Sequence, residues 1–277
     1  MDHRYTGVYH GGMPSIRTVR IAATAAAATM LLAAVAPAAD APHVVVTLTG
    51  DVTPNHLTKP HQPLKLHLKT TIKDVPSDAN FVLQSIDYQL PKGAVANGKL
   101  FKSCSVSKLK NARGVLSACP KGSKIGTGKA YGTAVRLGIS SHGDITMFNG
   151  PGGKSITVNI DIEHPAIINE TFKVPLKKTS GKYGYRSKIG VPDTLKTIIG
   201  GDIVATKIDF SIFATTKVNG VTRGYIEGVK CPKSGKAPMH AEFSFKRRVD
   251  AAGNYDPNST TFVGSTAGDD GTIVCKP

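Results

Sequence analysis

The stretch Ser155-Ile156-Thr157-Val158-Asn159-Ile160-Asp161-Ile162-Glu163 carries an apolar β-branched residue at every second position. Side chains of an extended chain point alternately to opposite faces. This spacing therefore predicts a strand with Ile156, Val158, Ile160 and Ile162 on a buried face and the polar residues on a solvated one. A helix would space its apolar residues three and four apart. The same alternation sets Leu64, Leu66 and Leu68 against Lys65, His67 and Lys69, and Met239, Ala241, Phe243 and Phe245 against His240, Glu242, Ser244 and Lys246. Further strands are expected at 43–49, 81–90, 203–217, 221–229 and 260–264, which are rich in Val, Ile, Thr, Phe or Tyr. Only short turns near 105–111 and 193–199 read as helical, the second with Asp193 as N-cap after Pro192.

Turn chemistry punctuates these runs at Lys92-Gly93, Asn97-Gly98, Asn149-Gly150-Pro151-Gly152-Gly153, Gly181, Asn219-Gly220 and Asp270-Gly271. Asn219-Gly220 stands between two β-like runs, the signature of a two-residue hairpin, and the Gly-Pro-Gly-Gly stretch reads as a wide hairpin loop. Many short strands without intervening helices predict an all-β antiparallel β-sandwich, with a closed β-barrel as the alternative. The apolar content of 40% supplies a core and excludes wholesale disorder.

The N-terminus reads as a targeting segment. Arg17 and Arg20 precede an uncharged Ala-rich and Leu-rich stretch from Ile21 to Val35, and Ala36-Pro37-Ala38 supplies a small-x-small cleavage site. A signal peptide is expected over 1–38, with Met13 as the better start, followed by a single β-sandwich domain over 39–277. The apolar stretch is shorter than the roughly 20 residues that span a bilayer, so no transmembrane helix is expected after cleavage. Over all 277 residues, 35 Lys and Arg face 19 Asp and Glu, a net charge of +16. Only three of the arginines and one aspartate lie within 1–38. The basicity belongs to the domain that follows, which is expected to be secreted or associated with the cell envelope.

Export governs how the cysteines are read. Cys104, Cys119, Cys231 and Cys275 all follow the leader, and an even number in an oxidising compartment favours disulfides. Three pairings are possible. The sequential one is expected: Cys104 with Cys119 closes a Lys-rich loop of 15 residues, and Cys231 with Cys275 pins the C-terminal tail. Zinc binding needs tighter ligand pairs such as C-x2-C, which are absent.

Residues 90–130, LPKGAVANGKLFKSCSVSKLKNARGVLSACPKGSKIGTGKA, carry a Leu-Pro-x-Gly turn, then Cys104, then Cys119-Pro120-x-x-Ser123-x-Ile125-Gly126 leading into a strand. With the later EGVKCPKSGKAPMHAEFSF and a terminal cysteine, this pattern resembles a group of exported β-rich proteins of high-GC actinobacteria. The resemblance spans about a third of the chain after the leader. It implies an exported β-rich fold with two disulfides, and no activity.

Motifs of catalysis are weak or missing. Gly122-Ser123-Lys124-Ile125-Gly126-Thr127-Gly128-Lys129-Ala130 is glycine-rich, but five residues separate Gly122 from Gly128-Lys129 and Ala130 stands where a phosphate loop needs Ser or Thr. No Gly-x-Ser-x-Gly elbow or histidine-based zinc protease motif occurs. His43, His56, His61, His67, His142, His164 and His240 are scattered and read as surface residues. Asp161-Ile162-Glu163-His164 could form a small cation or acid-base site, though polar alternation explains it equally. Asp250-x-x-Gly253-Asn254-x-Asp256 and Asp269-Asp270-Gly271 lack the spacing of a calcium loop and read as turns. No cofactor is implied, and a non-catalytic structural or adhesive role at the cell envelope or outside the cell is expected. The alternative is an extracellular hydrolase with an Asp/Glu or His site on a sheet face.

Charge placement is the feature that stands out. Between Tyr88 and His142 there is no acid, while Lys92, Lys99, Lys102, Lys108, Lys110, Arg113, Lys121, Lys124, Lys129 and Arg136 are basic. A second acid-free run holds Lys173, Lys177, Lys178, Lys182, Arg186 and Lys188, interleaved with Tyr183 and Tyr185. If both runs share one face, their field attracts an anionic polymer. Beyond the leader, lysines outnumber arginines 26 to 6, which favours diffuse, salt-sensitive attraction over bidentate reading of phosphates. Anionic envelope polymers or lipid head groups are the expected partners, and sequence-specific nucleic-acid binding is disfavoured. The competing reading is that these lysines keep exposed strands soluble. The oligomeric state is left open.

Overall fold

The computed structural model describes residues 41–276, so the expected signal over 1–38 and the start at Met13 lie outside the described residues. In chain order the strands are β1 (His43–Thr53), β2 (Gln62–Val75), β3 (Val82–Pro91), β4 (Ala94–Ala96), β5 (Lys124–Ala134), β6 (Ile139–Asn149), β7 (Ser155–Ile162), β8 (Ile168–Pro175) and β9 (Lys177–Lys178). They continue as β10 (Tyr183–Gly190), β11 (Thr197–Ile198), β12 (Gly201–Ile212), β13 (Thr215–Val218), β14 (Val221–Gly224), β15 (Ile226–Gly228), β16 (Lys236–Arg248) and β17 (Phe262–Val274). The larger sheet runs β4-β15-β2-β12-β5-β6-β7-β8, with β1 added to β2 and β11 to β12. The smaller runs β17-β16-β3-β10-β9, and β13 with β14 forms a separate hairpin.

These antiparallel sheets form a sandwich that does not close into a barrel. At one side β1 lies against β17, where the Leu48 N–H donates to Asp269 Oδ2 (2.7 Å). At the other side β8 meets β10 without a backbone ladder, and the Ser187 hydroxyl donates to the Pro175 carbonyl (2.9 Å). Both expected disulfides form, with Cα–Cα distances of 5.3 Å for Cys104–Cys119 and 5.6 Å for Cys231–Cys275.

Alternation accounts for most of the burial. Leu64, Leu66 and Leu68 in β2 and Met239, Ala241, Phe243 and Phe245 in β16 are buried, while Lys65, Lys69, Glu242 and Lys246 are exposed. Asn219 and Gly220 take φ of 49° and 79° between Val218 and Val221, the left-handed pair that a tight hairpin with the strands' own twist demands. The Gly150–Lys154 stretch turns β6 into β7, as a wide hairpin loop should.

Three expectations need correction. The polar face of β7 is not solvated: Ser155, Thr157 and Asn159 are almost fully buried. A cap formed by residues 98–122, including helix α1 (Val106–Asn111) with Ser105 as N-cap, folds over this outer face of the larger sheet. The Thr157 hydroxyl donates to the Cys104 carbonyl (2.8 Å), and the Asn149 amide donates to the carbonyls of Gly98, Phe101 and Lys102. Phe148, on the same face, packs with Leu109 and the Cys104–Cys119 disulfide. Hydrogen-bonding side chains are needed there because the cap presents backbone carbonyls as well as apolar groups. The helical reading of 193–199 shrinks to one 3-10 turn at Asp193–Leu195, with Pro192 in the N-cap position. Asp193 instead pairs with Lys196 (2.8 Å), and Thr197–Ile198 form a short strand. The strand expected at 260–264 runs from Phe262 through Val274, and Asp269-Asp270-Gly271, expected as a turn, lies inside it, because Gly264, Gly268, Asp269 and Asp270 pair along β16 despite their weak strand preference.

Buried side chains gather into two clusters on either side of a gap. One unites β1, β2, β3 and β16 around Leu68, Tyr88, Phe243 and Phe245. The other unites β6, β7, β8 and β15 around Ile145, Met147, Ile156, Val158 and Tyr225. Ile189, Ile208 and Phe210 reach toward both and stay partly exposed.

Candidate ligand cavity and basic edge

The gap between the clusters is a cavity of about 220 Å³ between the two sheets. Its cause is local sequence. Register pairs Gly126 with Ile212, Gly128 with Phe210, Ala130 with Ile208, Gly132 with Ala205 and Ala134 with Ile203, so beyond the buried Ile125 β5 turns only glycine and alanine inward. Ala130, Gly132 and Ala134 line the space. Gly126 and Gly128 let their neighbours lean across the strand, since a Cβ would stand 2.7 Å from Met147 Cε at the first and 2.5 Å from Phe210 Cβ at the second. Ser141 and Gly143 in β6, Ala205 in β12 and Ser187 in β10 add further small inward side chains. A sandwich core is about 10 Å thick and needs large side chains to fill it. This run of small ones leaves a hole. The glycine-rich stretch at 122–130 thus enters a strand and shapes an apolar space.

Ile145, Met147, Ile156, Val158, Ile160, Phe172, Val174, Ile189, Phe210 and Ile212 give the cavity an apolar wall; no Asp, Glu, Lys or Arg lines it, and the paired Tyr131 and His142 border it. Lining residues run along β7 from Ile156 to Ile162, about 20 Å at ~3.3 Å per residue, so the space suits a chain. Its polar atoms are few. Tyr88 shares a hydrogen bond with Thr70 (3.1 Å), and burial pushes its hydroxyl pKa up to about 12. Ser141 donates to the His164 carbonyl, and Ser187 to Pro175. The Tyr225 hydroxyl at the lower end is buried without a partner among the described residues, and burial raises its pKa.

The basic side chains lie outside this space. Lys102, Lys108, Lys110, Arg113 and Lys121 are exposed on the cap, and Lys124 is exposed at the start of β5. Lys177, Lys178, Lys182, Arg186 and Lys188 are exposed on or beside β9 and β10. Helix α1 packs over β8, and β8 adjoins β10, so the two acid-free runs meet along this edge. Some of the charge is already matched: Lys110 pairs with Glu170 (3.2 Å), Lys129 with Asp144 (2.6 Å), and Arg186 grips Asp87 through two contacts of 2.9 and 3.0 Å from Nε.

Histidines and acids occupy structural posts. His67 on β2 stands between Asp51 on β1 and Asp209 on β12, its Nδ1 and Nε2 each 2.8 Å from a carboxylate oxygen. Hydrogen bonds to Asp51 and then Asp209 raise its pKa, and the ring ties three strands together. Neither nitrogen is free to serve as a base. Burial pushes the Glu227 carboxyl upward, but Arg223, the Gly224 N–H and Asn97 pull it down to about 2. The Asp161-to-His164 segment shows no convergence: Asp161 accepts from the Asn169 amide (3.3 Å) and Glu163 is exposed. Asp250 accepts from the Ala252 and Asn254 N–H groups at 2.9 and 2.8 Å, closing a turn. Among the described residues no three His, Cys, Asp or Glu side chains converge as a metal site requires.

No family model and no curated protein matches the chain. Among solved structures, the T6 backbone pilin of serotype M6 Streptococcus pyogenes, which has a modular three-domain structure, matches with a TM-score of 0.28 and 11% identity. The match covers 85% of this chain and 36% of the pilin. The chain thus spans about a third of that pilin's length, and so loose a superposition carries no argument about fold or function.

Charge patterning in the sequence does not point to this cavity. Its signal is the alternate-residue series Gly126, Gly128, Ala130, Gly132, Ala134.

Proposed function

We propose that this is an exported, non-catalytic binding protein that holds an apolar chain between its sheets at the cell envelope or outside the cell. The observation that carries this reading is the cavity behind the small inward face of β5. An apolar space of about 220 Å³ leaves its wall without the contacts that a packed core supplies. A ligand that fills the space restores those contacts, and a cavity near 150 Å³ already suffices to bind benzene. Two disulfides are what an oxidising compartment sustains. His67, with both ring nitrogens committed, supports a non-catalytic role over a hydrolase.

Displacement of the neutral fluorophore N-phenyl-1-naphthylamine by a long-chain alcohol tests the reading. Binding should raise the unfolding free energy by about 2.7 kcal/mol at a hundredfold excess over Kd. Absence of both fluorophore binding and stabilisation would overturn it.

A structural or adhesive role through anionic envelope polymers is the second reading, favoured by the meeting of the two basic runs along β8. Retention on an anionic glycan at low salt that falls at moderate salt supports it, and no retention at low salt removes it.

A further inference from the structure

The two edges of the sandwich differ. Where β1 meets β17, Gly50 packs against Met239 and the Leu48–Asp269 hydrogen bond ties the sheets. Where β8 meets β10 the tie is looser. The Ser187–Pro175 hydrogen bond holds the lower part, and above it the Thr194 hydroxyl donates to Glu170 Oε2 (2.7 Å). Between these two ties, Phe172 on β8 with Ile189 and Val191 on and after β10 line the cavity and remain partly exposed.

Charge beside the seam is one-sided. Lys173 follows Phe172 on the outer face of β8, and Lys188 precedes Ile189 on the outer face of β10. Both are exposed, as are Lys177 and Lys178 on β9, which crosses from the first sheet to pair with β10. Of the nearby carboxylates, Glu170 is committed to Lys110 and Thr194, Asp87 to Arg186 and Asp193 to Lys196, while Glu242 stands one strand further away on β16, across Asp87 from Lys188. Lys173, Lys177, Lys178 and Lys188 form no ion pair among the described residues.

Resting on the apolar-ligand reading above, we infer that the ligand is a single-chain anionic amphiphile. Its alkyl chain enters at the β8–β10 seam and lies between the sheets, and its anionic head stays outside against Lys173 and Lys188, with Lys177 and Lys178 close by. An apolar wall without a charge of its own has no place for the head inside, because a buried unpaired anion is far costlier than one left at a wet, basic rim. Ammonium groups act as point charges, so a carboxylate and a phosphate head are both served.

The test compares hexadecanoate, hexadecyl phosphate and hexadecanol as competitors of N-phenyl-1-naphthylamine at low salt. Both anions should bind about tenfold more tightly than the alcohol. Lys173→Ala with Lys188→Ala should bring them down to the alcohol's affinity. Lys217→Ala with Lys233→Ala, remote from the seam, should keep the preference while removing the same net charge. Whichever anion is the tighter competitor in the wild-type protein identifies the head group within the class. Equal affinity of anions and alcohol overturns this inference alone. Loss of the preference in both double variants also overturns it, since net charge would then be the cause. Displacement by none of the three overturns the cavity reading and this inference together.

Discussion

Strand β16 turns Ala237, Met239, Ala241, Phe243 and Phe245 inward, and strand β5 turns Gly126, Gly128, Ala130, Gly132 and Ala134 inward. Both alternate with period two, and both are paired with a strand on either side. Around the first, Phe243 packs edge-on to Tyr88 and stacks beside Phe245, and all three are buried. Around the second, Ile208 and Phe210 face inward yet remain partly exposed. Alternation assigns a face; side-chain volume decides whether that face closes a core or lines a space.

The largest expected effect separates the two halves directly. Phe243→Ala should cost about 4 kcal/mol, because surrounding side chains already touch and cannot collapse into the hole. Phe172→Ala on the cavity wall should cost about 1 kcal/mol, since that ring is partly exposed and loses fewer contacts. Denaturant unfolding of both variants measures this. Similar losses would break the distinction between a filled and a hollow half.

A half that draws less from its interior needs support from outside. The cap supplies it over β6, β7 and β8, closed on itself by Cys104–Cys119 and anchored to the sheet by the hydrogen bonds of Thr157 and Asn149. Replacing both cysteines with serine should lower stability by about 3 kcal/mol for a loop of 15 residues. A loss below about 1 kcal/mol would mean that the cap rides passively on the sheet.

Ala130→Leu sharpens the comparison by converting one half into the other. The new side chain would project into the cavity between Gly143 and Ile208, the residues it pairs with on the flanking strands. Stability should rise by about 1 kcal/mol from the added burial. Affinity for the neutral fluorophore should fall at least about tenfold. Unchanged affinity would show that the fluorophore binds elsewhere.

Much of this architecture is legible in the sequence because strands and hairpins are local matters. The β2, β7 and β16 alternations and Asn219-Gly220 define their elements without help from the rest of the chain. Burial on the second face of β7 is not local. Thr157 and Asn159 look like solvent-facing residues until a cap some fifty positions earlier in sequence is placed over them. The cavity escapes for a different reason: glycine in a strand ordinarily signals a bulge, a close approach or a weak strand, and only strand order shows that Phe210 and Ile208 stand across from glycine and alanine. Basic residues were readable as a composition, whereas the carboxylates that neutralise Lys110, Lys129 and Arg186 come from distant strands.

The smallest expected effect concerns how the two halves are joined. His67 links Asp51 on β1, beside the filled core, to Asp209 on β12, beside the hollow one. Its folded pKa lies above the ordinary value of 6.5 because both carboxylates favour the charged ring. A raised folded pKa means that folding binds a proton more tightly, so the clasp's contribution is complete below the unfolded pKa and disappears as pH rises through the folded one. Unfolding midpoints should therefore fall between pH 6 and a pH above the folded pKa. In His67→Gln that part of the fall should vanish, since glutamine bridges the strands without a titrating charge. An identical pH dependence in both proteins would remove His67 from the joint and leave the halves held by the β2–β12 ladder alone.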